Sequence, residues 1–146
     1  MASINHQVGI SATPEQIYPF LTTNSGLSKW WTTDVKGAGE VGSLIEFRFN
    51  GGGPDFEVLQ LIPNKRVVWK HSGMMPEAWM GTEVCFDLRV EGNQTFVRFT
   101  HSHWQEITDF MAHCSTKWAV FLLSLKAALE GGKGKPFPND IPIDHS

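Results

Sequence analysis

The chain has 146 residues, of which 41% are hydrophobic and 18% charged, and its formal net charge is −3. This length suits one domain with its own core, so a single domain is predicted over residues 1–146, and the mixed composition excludes a disordered or fibrous chain. The slightly acidic balance, with no run of basic residues, argues against a nucleic-acid partner, which requires a positively charged surface.

The N-terminal part of the chain predicts one strand and two short helices. Ile4–Ile10 carries apolar residues in the spacing of a strand. Thr13 and Pro14 then predict the start of a helix, with Thr13 as the N-cap and Pro14 at the first helical position, where proline is favoured. A second short helix is predicted over Ser25–Trp31, which ends in two consecutive tryptophans.

The middle of the chain alternates apolar and polar residues in the two-residue period of β-strands. Short turns rich in Gly, Pro or Asn separate the segments, which favours an antiparallel meander. The predicted strands are Leu44–Asn50, Phe56–Ile62, Arg66–His71, Thr82–Val90 and Thr95–His103. Between two of them, Ser72–Met80 has no period and carries methionines and a tryptophan, so it is predicted to be a loop with apolar side chains.

Thr108–Gly131 has the clearest helical pattern in the chain, with Thr108 or Asp109 as its cap and a pair of glycines at its end. Its apolar residues recur at steps of three and four and form one long stripe, which needs a wide apolar partner. The stripe consists of Met111, Cys114, Trp118, Phe121, Leu122, Leu125, Ala128 and Leu129. We therefore predict an α+β fold in which a curved antiparallel sheet packs on this long helix. The Gly/Pro-rich tail, Gly131–Ser146, is predicted to be an extended strap or mobile.

The aromatic content of the chain is unusual, with six Trp and ten Phe against one Tyr. Each large aromatic side chain, taken singly, is most simply explained as core. Several, however, lie at strand ends and in the Ser72–Met80 loop, where an apolar cavity needs them more than a core does. We therefore predict a ligand cavity between the sheet and the long helix. The predicted lining residues are Trp30, Phe47, Phe49, Trp69, Met75, Trp79, Phe86, Phe99, His101, His103, Met111, Cys114, Trp118, Phe121 and Leu122.

Two histidines belong to this predicted lining. His101 and His103 are two residues apart on a predicted strand and share the phase of Val97 and Phe99, so both are predicted to face the helix. No carboxylate or thiol falls in the same phase with a recognisable spacing, so no metal site is predicted. The favoured interpretation is a buried histidine that bonds the backbone, a water or the polar end of a ligand. The alternative is an enzyme that uses His101 or His103 as general acid or base.

No motif for covalent catalysis or cofactor binding is recognisable, so no catalytic residue and no cofactor are predicted. His113 and Cys114 are adjacent on a helix and therefore point about 100° apart. The glycines at 51–53 lead into a strand, so they offer no helix N-terminus to a phosphate group. They are predicted to form a hairpin turn.

The cysteines and the N-terminus bear on the compartment. Cys85 and Cys114 have neither zinc spacing nor a disulfide framework, which favours two reduced thiols in a cytoplasmic protein. The first residues have no basic start followed by an apolar core, so a signal peptide is not predicted. The apolar runs are too short to span a bilayer, so membrane insertion is not predicted either.

In their order, these features resemble the SRPBCC superfamily of START-like, helix-grip proteins, and within it the bacterial relatives of the C-terminal domain of the activator of the ninety-kilodalton heat-shock-protein ATPase. The matching segments are Ala12–Glu15, Leu27–Trp31, Val41–Ser43, Gly81–Thr82, Thr95–His101, Trp118, Ser124–Lys126 and Glu130–Pro136. The resemblance implies a helix-grip fold, in which the curved sheet is wrapped around the long C-terminal helix.

The resemblance also implies an apolar cavity that binds hydrophobic small molecules. Some members of the superfamily are cyclases or hydrolases, and the eukaryotic relatives bind a chaperone. The expected function is therefore binding of a hydrophobic small molecule, with an enzyme acting in the same cavity or a chaperone-interacting module as alternatives. A separate N-terminal domain, as expected of a full co-chaperone, is not predicted within these residues, which makes chaperone contact the less favoured expectation. Homodimer formation is left open.

Overall fold

A computed structural model of the chain describes residues 2–144, so Met1, His145 and Ser146 of the predicted domain and tail lie outside the described residues. Within residues 2–144, seven strands form one antiparallel sheet in the order β1-β7-β6-β5-β4-β3-β2. The strands are β1 (Ala2–Ile10), β2 (Asp34–Lys36), β3 (Leu44–Arg48), β4 (Asp55–Ile62), β5 (Arg66–Ser72), β6 (Glu83–Glu91) and β7 (Gln94–Trp104). The first strand, β1, pairs with the last strand, β7, and forms one edge of the sheet.

Two short helices, α1 (Pro14–Thr22) and α2 (Asn24–Leu27), follow β1, and the long helix α3 (Asp109–Glu130) follows β7. Thr13 caps α1 through a reciprocal pair of hydrogen bonds with Gln16. Thr108 caps α3, since its hydroxyl accepts a hydrogen bond from the Met111 amide at 3.2 Å. These elements confirm the predicted α+β helix-grip fold. No helix within residues 2–144 is long and apolar enough to cross a membrane.

Three elements differ from their predictions. The strand β2 was not predicted, because three residues with one partly buried side chain, Val35, are too short to show a period. The second helix ends at Leu27 instead of Trp31, and the chain continues as turns through the two tryptophans. A single 3-10 turn, Glu77–Trp79, interrupts the predicted loop before β6.

Aromatic rings fill the space between the sheet and α3. Trp31 lies parallel to Trp69 of β5, with ring centroids 6.3 Å apart and an interplanar angle of 2°. Trp118 of α3 packs on Trp31 at 4.8 Å and on Phe99 of β7 at 4.5 Å. Because the centre of this layer is closely packed, a cavity of ligand size has room only at its edge.

The segment after α3 runs back along the protein as an extended strap. The Lys135 amide donates to the Ser124 hydroxyl at 2.7 Å. Phe137 then pairs with the turn after α2, where its amide donates to the Trp31 carbonyl at 2.7 Å and its carbonyl accepts from the Thr33 amide at 3.2 Å. Of the two alternatives predicted for the tail, the strap is therefore the one observed up to residue 144.

Candidate functional site

A cavity of about 740 Å³ lies at the edge of the aromatic layer, along the N-terminal part of α3. This volume is within the usual range for small-molecule sites, about 300–1,000 Å³. Its other walls are the β3–β4 turn, the loop that ends in the 3-10 turn, Trp31 and the C-terminal strap. The lining residues are Trp31, Phe49, Gly52, Gly53, Pro54, Met75, Pro76, Trp79, Phe110, His113, Cys114, Lys117, Trp118, Phe121, Phe137, Pro138, Asp140, Pro142, Ile143 and Asp144.

The helix wall of the cavity is one face of α3, whose members recur at steps of three and four. They are Phe110, His113, Cys114, Lys117, Trp118 and Phe121. This face is rotated from the stripe that the apolar pattern predicted, since Met111 and Leu122 are buried without lining the cavity. The sequence also shows the three- and four-residue spacing of this face. A search for apolar residues alone misses it, because His113 and Lys117 are polar.

The structure divides the fifteen predicted lining residues into three groups. Six line the cavity: Phe49, Met75, Trp79, Cys114, Trp118 and Phe121. Eight are buried elsewhere: Trp30, Phe47, Trp69, Phe86, Phe99, His101, Met111 and Leu122. The fifteenth, His103, is half-exposed. The predicted set thus mixes cavity wall with core, because burial and cavity lining select the same residue types.

The two tryptophans after α2 are adjacent in the sequence, yet only one of them lines the cavity. Trp31 lines the cavity, whereas its neighbour Trp30 is fully buried, and its indole N–H donates to the Phe20 carbonyl at 2.7 Å. The prediction named Trp30. Nothing in two consecutive tryptophans at the end of a helix says which one turns toward a cavity.

His103 does not face the helix, so the prediction of its orientation is wrong. Ala2 of β1 pairs with Trp104 and Ile4 pairs with His101, so β7 carries one extra residue at this point. His103 has a left-handed backbone with φ of 69°, and its side chain is half-exposed. Trp104 takes the inward position and is buried. This irregularity reverses the alternation on which the prediction depended.

His101 faces the helix as predicted, but it is enclosed in a chain of hydrogen bonds outside the cavity wall. The Trp118 indole donates to His101 Nδ1 at 3.1 Å, and His101 Nε2 lies 2.9 Å from the Thr82 hydroxyl. That hydroxyl donates in turn to the Trp79 carbonyl at 2.6 Å. Because an indole N–H can only donate, the His101 Nδ1 must be unprotonated to accept the hydrogen bond from Trp118, and Nε2 carries the proton. The imidazole is therefore neutral.

Electrostatics agree with this assignment. Burial, followed by the nearby His71, lowers the pKa of His101 from 6.5 to about 3. With both nitrogens engaged, His101 has no free lone pair to take a proton from a ligand. Cys114 does line the cavity, but burial raises the pKa of its thiol to about 11, with the Trp79 indole acting in the opposite direction. Neither group is prepared for acid–base or nucleophilic chemistry.

The charged groups of the cavity lie where α3 meets the strap. The Lys117 ammonium forms an ion pair with Asp140 and also approaches the Ile141 carbonyl at 3.3 Å. One turn away, His113 Nδ1 lies 3.0 Å from an Asp144 carboxylate oxygen. These strap residues were not predicted, because a Gly/Pro-rich segment has no period from which a position could be read. Within residues 2–144, no group of three or more His, Cys, Asp or Glu is placed to hold a metal ion.

Comparison with known proteins adds a family and several structures. The family model described as Activator of Hsp90 ATPase homolog 1-like protein matches residues 11–130. No curated protein matches the chain. The solution structure of the Aha1 dimer from Colwellia psychrerythraea is 70% identical, with 92% of this chain and 100% of that chain covered and a TM-score of 0.86.

Two more distant structures share the architecture. MLL2253 from Mesorhizobium loti is 23% identical, with 88% of this chain and 96% of that chain covered and a TM-score of 0.77. CalU16 from Micromonospora echinospora is 19% identical, with 99% of this chain and 75% of that chain covered and a TM-score of 0.80. At such low identity, these two structures show the fold alone.

Proposed function

The chain belongs to the family of Activator of Hsp90 ATPase homolog 1-like proteins, as its sequence segments predicted, and from this premise we propose that it binds an apolar, aromatic or cyclic small molecule. The observation that carries the proposal is the cavity of about 740 Å³ beside α3. Its aromatic lining comes from separate parts of the chain: Trp31, Phe49, Trp79, Phe110, Trp118, Phe121 and Phe137. Such a surface suits the flat faces of aromatic or cyclic compounds.

The rim of the cavity supports the same proposal. Met75 is 67% exposed and Phe110 is 41% exposed, although both are large apolar side chains on the cavity wall. Leaving apolar area in water costs about 25 cal/mol per Å². A ligand that enters beneath these side chains covers them, so part of the binding free energy comes from the rim itself. Methionine suits this position because its flexible side chain adapts to different ligand shapes.

Intrinsic tryptophan fluorescence tests the proposal directly, because Trp31, Trp79 and Trp118 line the cavity. A panel of aromatic and polycyclic compounds should include members that change the emission in a saturable way. Trp30→Phe serves as the matched control, since Trp30 is buried outside the cavity, and it should leave the affinities unchanged. If no compound of a broad panel gives a saturable change, the proposed function is wrong.

We propose in addition that the protein forms a homodimer. The support is the 70% identity to a protein whose solution structure is described as a dimer, with that chain covered completely. Sedimentation equilibrium over a range of protein concentrations should give twice the mass of the chain at the upper end. A monomer mass at every concentration would contradict the proposal.

The remaining alternatives have less support. An enzyme that uses His101 or His103 is disfavoured, because His101 is enclosed and neutral and His103 lies on the outside. A chaperone partner is suggested by the family description alone. We also propose a cytoplasmic location, where the free thiols of Cys85 and Cys114 would stay reduced.

A further inference from the structure

Segment 138–144 of the strap forms one wall of the cavity and is attached differently from the rest of the strap. Up to Phe137 the strap is fixed by backbone hydrogen bonds to the turn after α2. Beyond Phe137, its polar contacts with α3 among the described residues all go to Lys117 and His113. The polar contacts between this wall and the helix are therefore made by ionisable side chains. Of these contacts, the one between His113 and Asp144 is exposed to solvent ions, whereas the Lys117–Asp140 pair is largely shielded from water.

Acidic and basic side chains are separated between the two walls. Within the described lining, the acidic residues Asp140 and Asp144 both belong to the strap, and the basic residues Lys117 and His113 both belong to α3. The two helix residues are four positions apart and so share one face. If segment 138–144 moves away, the acidic groups leave with it, and the helix wall keeps its basic groups. The fixed part of the cavity is then an aromatic surface with a cation at its edge.

The surroundings of Lys117 define what can replace the strap there. Its ammonium lies 5.2 Å from the centre of the Phe121 ring, and its side chain is only 23% exposed. The Asp140 side chain is 9% exposed, so this ion pair is largely removed from water. Leaving one partner of such a pair alone is unfavourable. A ligand that displaces Asp140 must therefore bring a negative group of its own.

We propose that the ligand of this cavity is an aromatic or polycyclic carboxylate, whose carboxylate takes the place of Asp140 at Lys117 while its rings fill the aromatic cavity. This inference rests on the proposed ligand-binding function and names the class of the ligand. One ion pair replaces another, so no charge is left buried without a partner. Asp140 moves into water together with segment 138–144. A neutral compound of the same shape gains the ring contacts but leaves Lys117 paired with Asp140.

The test uses two fluorescent probes with the same ring system and chain, pyrenebutyrate and pyrenebutanol, titrated against the full-length protein. The wild type should bind pyrenebutyrate about tenfold more tightly than pyrenebutanol. Lys117→Met keeps most of the side-chain volume, and it should remove this preference by weakening pyrenebutyrate alone. Lys65→Met makes the same change of charge at an exposed lysine in the β4–β5 turn, and it should leave the preference unchanged.

A second variant tests the replacement of Asp140 by the ligand carboxylate, and here binding should become stronger. Asp140→Asn removes the competing carboxylate, so it should strengthen binding of pyrenebutyrate several-fold and leave pyrenebutanol almost unchanged. Equal affinities of the two probes for the wild type, or equal changes for both probes in Lys117→Met and Asp140→Asn, would overturn the carboxylate inference and leave the proposed function standing. Absence of saturable binding for both probes would count against the cavity as a binding site, and hence against both proposals.

Discussion

The two sides of helix α3 share one helical period but have different partners. On the side toward the sheet, Leu122 and Leu125 are fully buried. On the cavity side, Phe110 is 41% exposed, and Lys117 and His113 meet carboxylates of the strap. The sheet side packs against strands that belong to the main hydrogen-bonded framework. The cavity side faces a segment whose polar contacts with the helix are made by ionisable side chains.

This difference predicts that stability and the proposed ligand binding are separable along a single helix. Substitutions on the sheet side remove packing that nothing else replaces. On the cavity side, Phe110, His113 and Lys117 are already partly exposed to solvent, whereas Cys114 and Phe121 are buried. Trp118 is buried as well, and it lines the cavity, packs on the aromatic layer and donates to His101. Its substitution should therefore affect binding and stability together.

The largest effect is expected for Leu125→Ala on the sheet side. Truncation of a fully buried leucine should lower the free energy of unfolding by about 2–5 kcal/mol, while leaving affinity for cavity ligands unchanged. Leu123→Ala is the matched control, since Leu123 is 56% exposed on the same helix, and its cost should stay below about 0.5 kcal/mol. Urea denaturation measures both. Similar losses for the two leucines would mean that the sheet side is not a packed core.

The enclosed His101 should make stability depend on pH. Its pKa is lowered to about 3 in the folded protein, so below pH 6.5 the unfolded chain takes up a proton that the folded chain does not. The free energy of unfolding should therefore fall by about 1.4 kcal/mol per pH unit as the pH drops from about 6.5 toward about 3. Above about pH 6.5, His101 is neutral in both states and adds no pH dependence.

His101→Gln isolates this contribution, because an amide offers one donor and one acceptor but does not titrate. The variant should be less stable at neutral pH, and its stability should fall less steeply toward acid than that of the wild type. Urea denaturation at several values between pH 7 and pH 4 gives both curves. Parallel curves would show that His101 takes up its proton in the folded protein as readily as in the unfolded chain, against the hydrogen-bond chain through Trp118 and Thr82.

The positions that the sequence predicts correctly are those that pack against a large neighbouring element. The inward positions of Phe47, Trp69 and Phe99 follow from the strand period, and the stripe on α3 follows from the helical period. Both periods express packing against a large neighbouring element, so local sequence is enough to reveal them. The caps of α1 and α3 are local as well.

The parts that escaped prediction depend on irregular or distant contacts. His103 turns outward because one extra residue in β7 breaks the alternation, and no residue type at that point signals it. The strap wall depends on the meeting of Asp140 with Lys117, which are 23 positions apart without a shared period. A cavity is the space that such segments leave unfilled, so its position depends on contacts between distant parts of the chain. For this reason the sequence predicts the types of residue that line the cavity better than it predicts which individual residues line it.

A smaller effect on the cavity side is expected for Phe110→Ala. This ring lies at the rim, so its removal should weaken binding of an aromatic ligand about tenfold, which corresponds to about 1.4 kcal/mol. The free energy of unfolding should change by less than about 1 kcal/mol, because the side chain is already 41% exposed. Fluorescence titration and urea denaturation of the same samples measure the two quantities. A loss of stability comparable to that of Leu125→Ala, with binding intact, would reverse the proposed division of the helix.

The smallest effect is expected for Asp144→Asn, which weakens the outermost contact between the strap and α3. The side chains of His113 and Asp144 are 43% and 59% exposed, and pairs of this kind contribute about 0–1 kcal/mol. Global stability should therefore hardly change, while the backbone of residues 141–144 should become more mobile in heteronuclear relaxation measurements. The Phe137 region, fixed by backbone hydrogen bonds to Trp31 and Thr33, should keep its order. If Phe137 became mobile as well, the strap would behave as one unit, and the distinction between its fixed and exchangeable parts would be lost.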